Sequence, residues 1–242
     1  MWKKKLYVQN NLEPFPLSRT KLELYHDCRK CFYNDLIYGI RRPLGPPLVL
    51  NSAIHQIVTN EFDNYRIKGE KHPIMNYEDF DMLPSNHTNL KLWRNPFTGI
   101  RHLDKSTNFN LYGSLDDLWI EKKKNEYFVV AYKITSKKHS LQYENINENY
   151  WRQLSFYKYL LKENNLNVSD IGFIIFLNAK KDVLSFNNRL GFEMNLFSNE
   201  LNTSWIKSSL ENAFNILQSS SHPPPSSTCK YCQYVNLVNV LK

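Results

Sequence analysis

No stretch of this sequence approaches the roughly 18 consecutive apolar residues that a membrane span needs, so no spanning helix is expected. The opening Met1-Trp2-Lys3-Lys4-Lys5 is positive but has no apolar run behind it, which argues against a secretory signal and for a cytoplasmic location. No internal repeat is evident, and no basic amphipathic stretch stands out. With a net charge of +8 the expected partner is anionic, and nucleic acid ranks ahead of a membrane surface. Cysteine is scarce. The four present form two Cys-x-x-Cys pairs, Cys28/Cys31 and Cys229/Cys232, at opposite ends of the chain. In a reducing compartment that spacing reads as metal ligation, one four-thiolate site stapling the two ends together, rather than as a disulfide framework.

What is present is enough for a core. A chain of 242 residues with 42% hydrophobic and 14% aromatic content suits one α/β domain with appendages. Ser18 is placed to cap a helix with Leu22 and Tyr25 on its apolar face. After the Pro43–Pro47 turn, a second helix is expected from Asn51 as cap, with Ile54, Ile57, Val58 and Phe62 at helical spacing and His55 among them. Residues 68–108 hold several turn formers and read as an insertion with short helices. In it Trp93 and Arg94 are candidates for touching nucleic acid, although a buried Trp93 anchoring the insertion accounts for the pattern better.

The segment 112–138 reads as a β-hairpin. Gly113-Ser114-Leu115-Asp116 opens it, the polar tract Glu121–Glu126 turns it, and Tyr127–Lys133 returns. The basic Lys137-Lys138 follows, as a candidate nucleic-acid contact. A helix is expected over Asn147–Asn165, with Gln153 and Tyr157 four residues apart on one face. The continuous apolar run Ile171–Leu177 suits a central strand, Leu190–Leu196 another strand, and Asn202–Leu217 a last helix. A Pro-stiffened linker then delivers the second cysteine pair.

The order of these features resembles the PD-(D/E)XK nucleases, in particular RecB-type and CRISPR-associated members that carry an iron–sulfur cluster. The matching features run in sequence: Ser18 and its helix, the first cysteines, His55, Gly113-x-x-Asp116, Lys133, Gln153-x-x-x-Tyr157 and the last cysteine pair. The resemblance implies a restriction-endonuclease-like fold, a central mixed β-sheet flanked by helices, with a helical insertion and a cysteine-ligated metal staple. It implies one nuclease domain over 1–242, divided into an N-terminal helix with its cysteine pair (18–40), the insertion (68–108), the catalytic core (109–218) and the linker with the last cysteine pair (219–242). It further implies a catalytic Mg2+ or Mn2+ held by His55, Asp116 and an acid at position 131, with Lys133 orienting the attacking water or neutralising the phosphate, and Gln153 and Tyr157 steadying it.

Position 131 is an alanine, where the family carries an aspartate in its apolar-apolar-Asp-Tyr-Lys strand. An alanine side chain offers no oxygen to a hard cation. The chain therefore reads as an inactivated Asp-to-Ala variant. A natural non-cutting relative and an acid moved in from Asp117, Glu144 or Glu148 are the other readings. DNA is favoured over RNA as the substrate. The alternatives in function are a nucleic-acid binding module without catalysis and an interaction protein of a repair or defence complex. The cysteine site differs from the one-plus-three pattern of the cluster-bearing relatives, so both Zn2+ and [4Fe–4S] remain open for it.

Overall fold

The structure, a computed structural model, describes residues 5–76, 80–138 and 141–240. Strand β1 (Phe15–Ser18) leads into helices α1 (Arg19–Asp27) and α2 (Arg29–Ile37), followed by a long helix α3 (Val49–Lys68). Strand β2 (Met82–Pro84), helix α4 (Leu90–Arg94) and strands β3 (Ile100–Asp104) and β4 (Phe109–Gly113) come next. The hairpin strands are β5 (Asp117–Glu121) and β6 (Glu126–Thr135). Helix α5 (Glu148–Glu163), strands β7 (Ile171–Ala179) and β8 (Phe192–Glu200), and helices α6 (Trp205–Gln218) and α7 (Lys230–Val240) complete the order.

The chain divides into two compact units. One comprises Met1–Pro46, Arg101–Tyr112 and Ser204–Lys242; the other comprises Pro47–Ile100 and Gly113–Thr203. The segment 109–218, expected as the catalytic core, contributes residues to both.

In the first unit β1 pairs in parallel with β4, setting Phe15 opposite Phe109 and Leu17 opposite Leu111. Ser18 caps α1 as expected, its side chain accepting from the Lys21 amide at 3.2 Å. Helix α6 buries Ile206, Leu210, Ala213 and Leu217, a 4-3-4 spacing that puts all four on one stripe. Burial of such a side chain contributes ~1.5–3 kcal/mol, enough for a few of them to hold a helix that is marginal alone.

In the second unit the sheet order is β2-β5-β6-β7-β8. The hairpin turns over Glu121–Glu126 as expected, with those two residues opposite one another. Pairings are antiparallel except β6–β7, which is parallel and is bridged by α5. Alternation along β6 decides what each face meets. Val130 and Tyr132 join Trp119, Phe128, Phe173 and Ile175 in a core closed by Ile54, Val58 and Phe62 of α3. Ala131 and Lys133 point the other way, toward α5. Strand β7, covered on both faces, is apolar along nearly its whole length for that reason.

Several expectations shift. Helix α3 starts at Val49, two residues before Asn51, and its cap Leu48 makes no side-chain hydrogen bond, so Asn51 is not the cap. Ile57 is exposed, because 54, 58 and 62 already fill the stripe facing the sheet. The 68–108 segment holds the expected short helices, α4 and a 3-10 turn at Pro73–Met75, but it also supplies β2, an edge strand of the main sheet. Pro84 is tolerated in β2 because an edge strand leaves one row of its backbone groups unpaired.

Candidate active site and cysteine centre

The chain reaches β5 through a close backbone approach. Gly99 has φ +54°, and a Cβ there would lie 2.4 Å from the Gly113 carbonyl oxygen. Only glycine fits such a position. The three residues after Gly113 bring Asp116 to the point where β5 begins. Its carboxylate accepts from the Tyr132 amide of β6 at 3.0 Å and lies 3.2 Å from Nε2 of His55 on α3. Burial alone would raise the Asp116 pKa. The His55 hydrogen bond, the Lys133 charge and the Tyr132 amide outweigh it and hold the carboxyl below the usual range.

On the α5 side of the sheet, Lys133 Nζ donates to Gln153 Oε1 at 2.8 Å, and Gln153 Nε2 donates to the Tyr157 hydroxyl at 3.4 Å. Asn147 caps α5 and so fixes the phase in which Gln153 and Tyr157 share a face. Tyr150, which sequence reasoning missed, lies under the Lys133 ammonium with its ring centre 4.8 Å away. Tyr150, Gln153 and Tyr157 fall at i, i+3 and i+7, so the spacing that singled out two of them would have found the third. The structure thus pairs His55 with Asp116 and links Lys133 to Gln153 and Tyr157, with the Lys133 charge felt at Asp116.

Ala131 is 1% exposed and lies on the same strand face as Lys133, two residues before it. None of the three acids considered as replacements groups with His55 and Asp116. Glu144 and Glu148 are exposed. Asp117 is fully buried, and its carboxylate is saturated by Arg66, by Arg94 Nη2 at 2.6 Å, by the Tyr132 hydroxyl at 2.6 Å and by Trp119 Nε1 at 3.3 Å. Among the described residues no third carboxylate, imidazole or thiol joins His55 and Asp116. A hard divalent cation usually takes one or two carboxylates and keeps several waters. His55 and Asp116 supply one of each donor type, so the residues present form only part of such a site.

Two other candidates have structural work. Trp93 is 5% exposed and stacks on His87 with ring centres 4.4 Å apart, the buried anchor that accounted best for its pattern. Arg94 points inward, donating to the Asp116 carbonyl at 3.0 Å, to Asp63 at 2.8 Å and to Asp117. The Arg94 guanidinium is thus engaged inside the fold, and Trp93 is buried. Lys137 and Lys138 are exposed and line an open groove.

A family model for the PD-(D/E)XK nuclease superfamily matches residues 65–237. The chain belongs to that superfamily. Asp116, Lys133, Gln153 and Tyr157 fall inside the matched span, and so does the second cysteine pair; His55 and the first pair precede it. A mixed sheet flanked by helices is the PD-(D/E)XK architecture, and its nucleases use divalent metals on nucleic acid. No curated protein matches the chain.

The cysteines meet as expected, within the first unit. Cys28 Sγ is 3.7 Å from Cys232 Sγ, and Cys31 Sγ is 3.7 Å from Cys229 and 3.6 Å from Cys232. All four lie within 4.8 Å of one another and can hold a metal ion. The two pairs are built alike, the first cysteine just ahead of a helix and the second in its first turn, on α2 and on α7. That placement aims helix N-terminal dipoles at the sulfurs and favours thiolates. Burial would raise Cys28, but amide donors from Ser226 and Cys31 and its thiol neighbours bring it down to about 7. Arg42 donates to Cys229 Sγ at 3.4 Å. Helix α7 itself was not expected, since it buries no residue and so shows no apolar stripe to read. No helix of the described residues is long and apolar enough to cross a membrane.

Proposed function

We propose that this chain is the inactivated form of a metal-dependent nuclease that acts on nucleic acid, DNA ahead of RNA, and that as it stands it binds without cutting. One observation carries the reading. Asp116 with His55, and Lys133 with Gln153 and Tyr157, are assembled around a buried Ala131 whose side chain offers no ligand. In this reading Asp116 and His55 are ligands of the Mg2+ or Mn2+, Lys133 faces the scissile phosphate, and Gln153, Tyr157 and Tyr150 hold the lysine in place. An ion held this way would stabilise developing charge and activate water. The net charge of +8 supports an anionic partner. The test is to introduce Ala131→Asp and assay labelled single- and double-stranded DNA and RNA with magnesium and manganese. Cutting that is lost again on adding Lys133→Ala supports the reading, whereas a folded Ala131→Asp protein that cuts nothing contradicts it.

For the cysteine centre the reading is a single structural Zn2+. Four thiolates at ~2.3 Å from one tetrahedral ion stand ~3.8 Å apart, close to three of the observed separations, 3.6 and 3.7 Å, with all four sulfurs within 4.8 Å of one another. A cubane cluster interposes its own body and would spread its ligands further. Colourless protein with one zinc per chain supports this, and a brown, iron-containing preparation overturns it.

A further inference from the structure

Strands β6 and β7 run in parallel, and in open α/β sheets ligands bind outside the carboxyl ends of parallel strands. Both strands here end in a lysine pair, Lys137-Lys138 two residues beyond β6 and Lys180-Lys181 directly beyond β7. The four line one open groove of about 720 Å³. Its walls are tied together. Asn178 accepts from the Lys137 amide at 2.8 Å and donates to the Lys137 carbonyl at 3.2 Å, and Lys181 donates to the Ser136 carbonyl. Two carboxylates, Asp182 and Glu193, share the lining, and Glu193 accepts from Asn195 at 3.2 Å. Four ammonium groups against two carboxylates leave the groove cationic. Among the described residues no aromatic ring lines it, so what is described suits phosphates rather than stacked bases.

We infer that this groove is a subsite for the sugar–phosphate backbone of the nucleic acid, adjacent to the cleavage position. The inference rests on the function proposed above. Lys133 and Lys137 are four residues apart on one chain segment, which spans no more than about 14 Å. That limit is between backbone positions and the lysine side chains extend it, so the groove takes phosphates several nucleotides along the strand from the one at Lys133. It carries no sequence readout, because amines on phosphates fix register and not base identity.

The test is binding of a fluorescent single-stranded oligonucleotide, long enough to reach from Lys133 into the groove, measured by anisotropy across a salt series. The unmodified chain is compared with Lys137→Gln/Lys138→Gln and Lys180→Gln/Lys181→Gln. All four side chains are exposed, so unfolding midpoints should be unchanged and serve as the folding control. The expected result is weaker binding, with the slope of log affinity against log salt flattened by up to about 1.4 for each double substitution. Salt-dependent binding by the unmodified chain that neither double substitution alters overturns the groove and leaves the proposed function standing. Binding without salt dependence in the unmodified chain overturns both.

Discussion

Two neighbouring carboxylates, Asp116 and Asp117, meet different surroundings because β5 begins between them. Asp117 points into the core and is the counterion of the buried Arg66 and the half-buried Arg94. Asp116 stays at the rim beside His55. Removing one member of a buried charged network leaves the others unpaired and typically costs ~3–5 kcal/mol, a large share of a domain's ~5–15 kcal/mol. Asp117→Ala should therefore lower stability by about that much, while Asp116→Ala, which gives up a few hydrogen bonds near solvent, should cost ~1–2 kcal/mol. Denaturant titration of both variants checks this, and equal losses would contradict the assignment of roles. Gly99 allows a third comparison. Gly99→Ala must adopt a positive φ and displace Gly113, so it should destabilise, whereas Gly45→Ala, with open space around its Cα, should not.

At the scale of elements, α5 is the part that organises the site, since it bridges the parallel strands and supplies Tyr150, Gln153 and Tyr157. Its Lys158, buried at 4%, reaches Asp170 at 2.7 Å just ahead of β7. Lys158 and Lys162 hold the Asp170 carboxyl below its ordinary value, despite its exposure. A carboxyl depressed by folding contributes stability that is present above its unfolded pKa of ~3.9 and is lost as the pH falls through the folded value. The stability gap between the unmodified chain and Asp170→Asn should therefore be visible at neutral pH and shrink below about pH 4. A gap that widens in acid would contradict the pairing. Helix α7, with no buried side chain, is held through Cys229 and Cys232 and the stack of Arg42 on Tyr231 at 5.0 Å. With the zinc proposed above in place, a chelator should expose residues 219–240 to limited proteolysis first; an unchanged digestion pattern would mean that a metal at the cysteines does not anchor the helix.

Elements with a strong pattern were legible in advance. The hairpin, α5 and β7 follow from a polar turn, an asparagine cap with an apolar face, and a run covered on both sides. Strand β2 was hidden because three residues with a proline carry no period, and α7 because an unburied helix has no stripe. At the site, Asp116, His55, Lys133, Gln153 and Tyr157 could be listed from spacing and resemblance. The inward turn of Arg94 could not, since its partners Asp63 and Asp117 are set by tertiary packing.

For the molecule as a whole, membership of the PD-(D/E)XK superfamily is the finding, and the proposal that a metal ligand is missing at position 131 is what remains to be tested. Sequence order marks position 131, and the structure adds that the Asp117 carboxylate is fully engaged by Arg66, Arg94, Tyr132 and Trp119. The most direct test is single-turnover cleavage of labelled DNA by Ala131→Asp in the presence of Mn2+. The account predicts cutting by Ala131→Asp, none by the unmodified chain, and none by Ala131→Asp/Lys133→Ala. Cutting by the unmodified chain, or none by a folded Ala131→Asp, would contradict it.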